Sequence, residues 1–157
     1  MPLLNLVHIN LHVSDLDRSI DFYERLGFTV MHDLGRNAPR PMAPVEVSPL
    51  SQHGGGMVSG AVMSLGDDPR CATKIELIQF VDPAPTARPF KPNHEVGVHR
   101  IAIRVKDIDA TIADLRAKGI VIPSGPHEVH TMGGLQRYVL FPDPDESMLE
   151  LIELSKA

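Results

Sequence analysis

The chain of 157 residues lacks the features that mark several classes of protein. Its single cysteine, Cys71, excludes an internal disulfide framework. No apolar run reaches the roughly 18 residues that a membrane-spanning helix needs, and the N-terminus has neither the basic region nor the cleavage site of a signal peptide. The formal net charge is −5, and no basic stripe indicates nucleic-acid binding. These absences favour a soluble cytoplasmic protein that binds neither membranes nor nucleic acid.

Aromatic residues are also scarce, whereas histidine is not. The sequence has no Trp and two Tyr, but eight His. The apolar content of 43% is sufficient for a globular core, and the length indicates one domain over residues 1–157. The composition therefore allows a site built from imidazole and carboxylate groups without locating it.

The sequence repeats itself at an offset of 92 residues. HINLHVSDLDRSIDFYERLGF, which begins at His8, aligns without a gap with RIAIRVKDIDATIADLRAKGI, which begins at Arg100. Each copy predicts a short strand, an aspartate that caps a helix, an apolar helix stripe, and a glycine at the helix end. The capping aspartates and terminal glycines are Asp15, Asp107, Gly27 and Gly119.

Three more strands follow the helix in each half. They are predicted at 28–33, 57–66 and 74–80, and at 127–132, 135–141 and 148–154. Residues 1–81 and 96–157 are therefore predicted to form two β-α-β-β-β modules, with 82–95 as the linker. The long segment 35–56 is rich in Pro and Gly and lacks strand periodicity, which predicts a mobile loop or a lid.

The two ends of the chain carry patterns that resemble one known family. The opening H-x-x-x-x-V-x-D-L-D-R-S-x-x-F-Y-x-x-L-G-F and the closing D-P-D-x-x-x-x-E-L-x-E are similar to those of the vicinal oxygen chelate superfamily. This superfamily includes glyoxalase I, methylmalonyl-CoA epimerase, extradiol dioxygenases, and the fosfomycin and bleomycin resistance proteins. The resemblance implies an α+β fold in which paired βαβββ modules form a curved eight-stranded sheet around a cavity. It also implies a homodimer.

The resemblance further implies a divalent metal site in that cavity. In the metal-using members, the first and the last strand of each module supply one ligand each. The matching positions are His8, Glu76 and Glu150, which could hold Mn, Ni, Co, Fe, Mg or Zn. At the fourth position the repeat places Arg100, and a guanidinium group cannot ligate a metal. Arg100 is therefore expected to weaken metal binding.

The neighbouring His99 leaves an alternative open. In one interpretation Arg100 and Arg104 face the cavity, where Arg100 binds an anionic substrate or pairs with Glu150. In the other, a bulge near Gly97 turns His99 inward as a ligand, because a one-residue slip exchanges the faces of a strand. The repeat has no gap that would absorb a bulge, which favours the first interpretation.

Two glutamates interrupt otherwise apolar strands. Glu76 lies in KIELIQF and Glu150 in MLELIEL. A buried carboxylate is costly unless it is paired or bound to a metal, so both are interpreted as catalytic residues. A salt bridge to Arg100 or Arg104 is the structural alternative.

The remaining polar residues give weaker signals. His12 shares a strand face with His8 and is predicted to contact substrate, with an exposed strand end as the alternative. Arg137 and Tyr138 alternate along one predicted strand, and parity alone does not decide which of them faces the cavity. The histidines interpreted as surface or loop residues are His53, His94, His127 and His130.

These features predict a protein that acts on a small molecule. The first hypothesis is an isomerase, epimerase or lyase that uses a divalent metal or a remnant of its site. The second is a metal-free protein that binds or sequesters a small molecule, and the third is a metal-free enzyme with His8 or a glutamate as base. Extradiol dioxygenase activity is less favoured, because Arg100 removes the second histidine that it uses.

Overall fold

The computed structural model describes residues 6–42, 56–66, 72–86, 96–131 and 134–154. The chain divides into two compact units, Met1–Ala87 and Arg88–Ala157, which we call the first and second modules. The division falls within the predicted linker 82–95. None of the helices in the described ranges is long and apolar enough to cross a membrane.

The described part of the first module contains one helix and a five-stranded sheet. Its elements are β1 (Ile9–His12), α1 (Leu16–Arg25), β2 (Thr29–Asp33), β3 (Arg40–Met42), β4 (Gly56–Leu65) and β5 (Thr73–Asp82). The strand order is β1-β5-β4-β2, with β3 also paired to β4. β1 runs parallel to β5, whereas the other pairs are antiparallel.

Strand β3 corrects the prediction that segment 35–56 contains no strand. β4 is ten residues long, and β2 pairs only with its second half, from Ala61 to Ser64. The backbone groups of the first half, from Gly56 to Val58, are thereby left for β3 to pair with. Residues 43–55 of the predicted lid lie outside the described residues.

The second module has the predicted β-α-β-β-β order. Its elements are β6 (Ile101–Val105), α2 (Ile108–Ala117), β7 (His127–Thr131), β8 (Gly134–Pro142) and β9 (Met148–Leu154). The sheet order is β6-β9-β8-β7, and β6 runs parallel to β9. The α+β class and the paired modules are confirmed, although the described sheets have five and four strands. The cavity stays a prediction.

Both helices begin and end where the repeat predicts. The Asp15 carboxylate accepts a hydrogen bond from the backbone N–H three residues later, at 3.0 Å, and Asp107 does the same at 2.9 Å. Gly27 and Gly119 follow the helices with φ of 100° and 79°, a conformation that glycine adopts without a steric penalty.

Each helix packs its apolar stripe on one face of its own sheet. The buried apolar helix residues include Leu16, Ile20, Tyr23, Ile108, Ile112 and Leu115. The buried strand residues include Ile75 and Leu77 on β5, and Leu149 and Leu151 on β9. Because strand side chains alternate, the residues between them point to the opposite face, which we call the distal face of each sheet.

The last strand of each module also binds the start of its helix. The backbone N–H of Leu16 donates to Gln79 Oε1 at 2.8 Å, and that of Ile108 donates to Glu153 Oε2 at 3.1 Å. Each bond satisfies a helix N–H that has no partner within the helix. Gln79 and Glu153 therefore point toward the helices, and Glu76 and Glu150, three residues earlier, lie on the distal faces.

Candidate functional site

The two modules hold their glutamates at equivalent positions. On β5, Glu76 lies opposite Asn10 of β1, and on β9, Glu150 lies opposite Ala102 of β6. Asn10 and Ala102 are themselves 92 residues apart. The repeat therefore extends from the sequence to the pairing register of the strands.

In the first module Glu76 contacts two side chains from the start of the chain. His8 Nε2 lies 3.2 Å from Glu76 Oε2, and Asn10 Nδ2 donates a hydrogen bond to the same oxygen at 3.0 Å. The Glu76 side chain is 18% exposed and that of His8 is 41% exposed. The predicted residues His8 and Glu76 are thus brought together, with Asn10 as a contact that the sequence did not single out.

His12 lies on the same face as His8 and Asn10. Although His12 is exposed overall, its ring packs edge-on against Phe80, with centroids 5.2 Å apart. Burial lowers the pKa of His12 below its usual value, and the negative charge of Glu76 opposes this shift without cancelling it.

In the second module the partner of Glu150 is Arg100. Arg100 Nε lies 2.6 Å from Glu150 Oε2, and the two side chains are 53% and 8% exposed. Arg100 directly precedes β6 as His8 directly precedes β1, and β6 pairs with β9 without a register shift from Ile101 to Val105. The structural equivalent of His8 is therefore Arg100, in agreement with the first interpretation of the strand.

The structure decides between Arg137 and Tyr138. Arg137 lies on the helix side, where it donates two hydrogen bonds to Asp109 of α2, at 2.8 and 3.1 Å. The bonds lower the pKa of the Asp109 carboxyl. Arg137 also lies 3.5 Å from Glu153. Tyr138 therefore lies on the distal face, as Glu150 does.

The register of the β8–β9 hairpin agrees with this placement of Tyr138. The turn between β8 and β9 is short, and it pairs Pro142 with Met148. Since loop length fixes the register of a hairpin, counting back from this turn places Tyr138 opposite Ile152. His127 and His130 are exposed on β7, as predicted for surface residues, whereas positions 53 and 94 lie outside the described residues.

The metal donors that the resemblance implies form an incomplete set. The first module supplies an imidazole and a carboxylate, His8 and Glu76, on one face. In the second, Arg100 holds the ligand position and its guanidinium group contacts Glu150. No group of three or more His, Cys, Asp or Glu that could hold a metal occurs in the described ranges. These residues do not fit the four-ligand site, and a metal held by His8, Glu76 and Glu150 stays a prediction.

Comparisons with a family profile and with known proteins agree with each other. The profile of the glyoxalase/bleomycin resistance protein/dioxygenase superfamily matches residues 7–141. The chain is 30% identical over 151 residues to the mitochondrial methylmalonyl-CoA epimerase of Bos taurus, covering 96% of this chain and 73% of the relative. It is 29% identical over 154 residues to a 2-epi-5-epi-valiolone epimerase from an Actinomyces species, covering 94% and 78%.

Comparison with solved structures identifies proteins that share this fold. A glyoxalase family protein from Bacillus cereus superposes with a TM-score of 0.71 at 21% identity, covering 98% of this chain and 96% of that one. At this identity the likeness bears on the fold alone. The profile match over most of its length shows that the chain belongs to the glyoxalase/bleomycin resistance protein/dioxygenase superfamily.

Proposed function

We propose that the protein is an epimerase- or isomerase-type enzyme that moves a proton at a carbon beside a carbonyl group. Glu76 and Glu150 are the proton-carrying residues. The observation that carries this proposal is their equivalent register, each on the distal face of its sheet and each in contact with the residue that precedes the first strand.

The chemistry of epimerisation explains why two equivalent carboxylates are useful. Inverting a stereocentre requires that a proton be removed from one side of a carbon and returned to the other. Two groups that exchange protons perform this with less rearrangement than one. Each module has one carboxylate at the equivalent strand position, and two relatives of the chain are named as epimerases.

The partners of the two glutamates differ in charge and give them different tasks. Arg100 carries a fixed positive charge, and its half-exposed guanidinium group has donors beyond the Nε that faces Glu150. These donors suit an anionic substrate group or the oxyanion that develops when the proton leaves. The imidazole of His8 is in contact with Glu76, so it can relay a proton to that carboxylate. No step in this proposal passes through a metal.

Proton exchange in D₂O tests the proposal directly. The substrates named by the two relatives, methylmalonyl-CoA and 2-epi-5-epi-valiolone, serve as probes, and NMR follows deuterium incorporation beside the carbonyl group. Glu76→Gln and Glu150→Gln should each slow the exchange by about 10²-fold or more. Glu24→Gln, which changes an exposed glutamate on α1, is the matched control and should leave the rate unchanged.

Exchange that persists in both glutamine variants would contradict the assignment of the two carboxylates. Binding of a probe without any exchange would instead favour the alternative, a metal-free protein that binds or sequesters a small molecule. That alternative has its own support, because the contact between Arg100 and Glu150 occupies an oxygen that a catalytic base needs free.

A further inference from the structure

The second module aligns four side chains in one row across its sheet. Arg104 on β6 lies opposite Ile152 on β9, Ile152 lies opposite Tyr138 on β8, and Tyr138 lies opposite His127 on β7. Neighbouring strands are about 4.8 Å apart. The row of Arg104, Ile152, Tyr138 and His127, which we call the Arg104 row, therefore spans about 14 Å.

The Arg104 row lies on the distal face, beside Glu150. Ile152 is two residues after Glu150 on β9, so both side chains point the same way, about 7 Å apart along the strand. The other face of this sheet carries the buried residues Val139, Phe141, Leu149 and Leu151, over which α2 packs. A ligand bound along the Arg104 row would therefore lie about 7 Å from Glu150, the carboxylate proposed to carry the proton.

The side chains of the Arg104 row differ in charge and polarity along its length. Arg104 is exposed, and no hydrogen bond or ion pair to it occurs in the part of the chain that the structure describes. Ile152 is half-buried and offers an apolar surface. The rings of Tyr138 and His127 are 5.7 Å apart at the far end, tilted by 42°. The row therefore presents a cation, an aliphatic step and a pair of rings in that order.

The equivalent row of the first module provides an internal comparison. There the residues opposite one another are His12, Ile78 and Gly60. At Gly60 an added Cβ would lie 2.7 Å from the carbonyl oxygen of Leu77, so no ring can occupy the place of Tyr138. The lowered pKa of His12 reduces its positive charge near neutral pH, unlike that of Arg104. Among the described residues of the two rows, the arginine and the Tyr138–His127 ring pair therefore occur only in the Arg104 row.

We infer that the Arg104 row binds a substrate which carries a carboxylate and a flat unsaturated group. The carboxylate pairs with Arg104, and the flat group lies against Tyr138 and His127, with Ile152 beneath the part that joins them. This inference rests on the proposed function only in taking Glu150 as the reacting group next to the row. It identifies the class of substrate as aromatic or conjugated carboxylic acids.

Three small probes separate the parts of this inference. The first probe, 2-naphthoate, has both the aromatic ring and the negative charge. The second, 2-naphthamide, has the ring without the charge, and the third, propionate, has the charge without the ring. None of these needs to react, so binding is measured apart from catalysis by fluorescence or NMR titration. The parent should bind naphthoate more tightly than either of the others.

Two variants assign the contacts to residues. Arg104→Gln should weaken naphthoate binding about tenfold, as expected for loss of a charge-assisted hydrogen bond at a partly exposed site, and leave naphthamide binding unchanged. Tyr138→Leu should weaken both about fivefold through loss of the ring contact. Arg25→Gln removes an equal charge from the surface of α1 and is the control, with no effect expected.

Equal affinity for naphthoate and naphthamide, or unchanged naphthoate binding in Arg104→Gln, would overturn the inference. The same holds if naphthoate shifts no backbone amide signals at residues 104, 127, 138 and 152. A failure of proton exchange with intact naphthoate binding would contradict only the proposed function. Folding of each variant is checked by its thermal unfolding before titration.

Discussion

Arg100 Nε lies 2.6 Å from Glu150 Oε2, in the place where the other module sets His8 Nε2 3.2 Å from Glu76 Oε2. Both modules therefore have a glutamate at the equivalent position, but the side chain that contacts it is different. An arginine remains charged at all physiological pH values, whereas a histidine does not. The two modules therefore differ in the side chain that contacts the equivalent glutamate.

Loss of Arg100 should destabilise the fold through the glutamate that remains. The Glu150 side chain is only 8% exposed, so Arg100→Gln leaves a largely buried carboxylate without its cation. We expect the free energy of unfolding to fall by about 1–3 kcal/mol, measured by urea denaturation. The double variant Arg100→Gln/Glu150→Gln should recover most of this loss. A loss in Arg100→Gln that the double variant does not recover would contradict the explanation.

Arg100→His should strengthen the binding of divalent metal. The substitution removes a cation and gives Glu150 an imidazole neighbour like that of Glu76. A unit positive charge about 5 Å from a divalent ion costs roughly 6–7 kcal/mol at an effective dielectric constant near 20. The paired charge of Glu150 offsets part of this cost, so we expect a gain in affinity of about a hundredfold. Calorimetric titration of Mn²⁺, Ni²⁺ and Zn²⁺ should show weak or no binding by the parent. His99→Ala is the control, and tight binding by the parent that His99→Ala abolishes would reverse the assignment.

The side chains that bind the helix starts should contribute to stability. Gln79→Leu removes the acceptor of the Leu16 N–H, and Glu153→Leu removes that of the Ile108 N–H. Each change should lower the free energy of unfolding by about 1 kcal/mol, the usual value of a helix N-terminal acceptor. Gln136→Leu is the control, because Gln136 is a half-buried residue of β8 that does not contact a helix start. Equal effects of Gln79→Leu and Gln136→Leu would show that the bond does not matter.

The lowered pKa of His12 should make the fold less stable in acid. Its pKa in the folded state lies below the unfolded value of about 6.5, so protonation favours unfolding. The free energy of unfolding is therefore expected to be fully present above that value and to fall as the pH falls through the folded pKa. His12→Gln should reduce this fall, whereas His32→Gln on β2 is the control. Identical pH profiles for parent and His12→Gln would contradict the prediction.

Gly60→Ala should destabilise the first module. A Cβ at this position would lie 2.7 Å from the backbone oxygen of Leu77, on the neighbouring strand, which cannot move as a side chain could. We expect a loss of about 1–3 kcal/mol by thermal or urea unfolding. Gly125→Ala, where no atom lies within 4 Å of the added Cβ, should cost much less. Similar losses at both positions would show that the close approach is relieved at no cost.

Local chemistry was enough to predict most elements of both modules. Helix α1 follows a capping aspartate and ends before Gly27, and α2 repeats this with Gly119, because each signal depends on residues within one or two helical turns. The ungapped offset of 92 also predicted that Arg100 takes the place of His8. The helix signals depend on neighbours along the chain, and the repeat is found by aligning the sequence with itself, so neither prediction needs the tertiary structure.

Only the tertiary structure decided how the strands pair and which side each residue faces. Strand β3 is only three residues long, Arg40–Met42, so no local pattern predicted it or its pairing with β4. The faces of Arg137 and Tyr138 follow from the register of β8 against β9. The environment of His12 follows from Phe80, which is 68 residues away. Register is a property of two strands together, and shifting it by one residue exchanges the faces without changing the sequence of either.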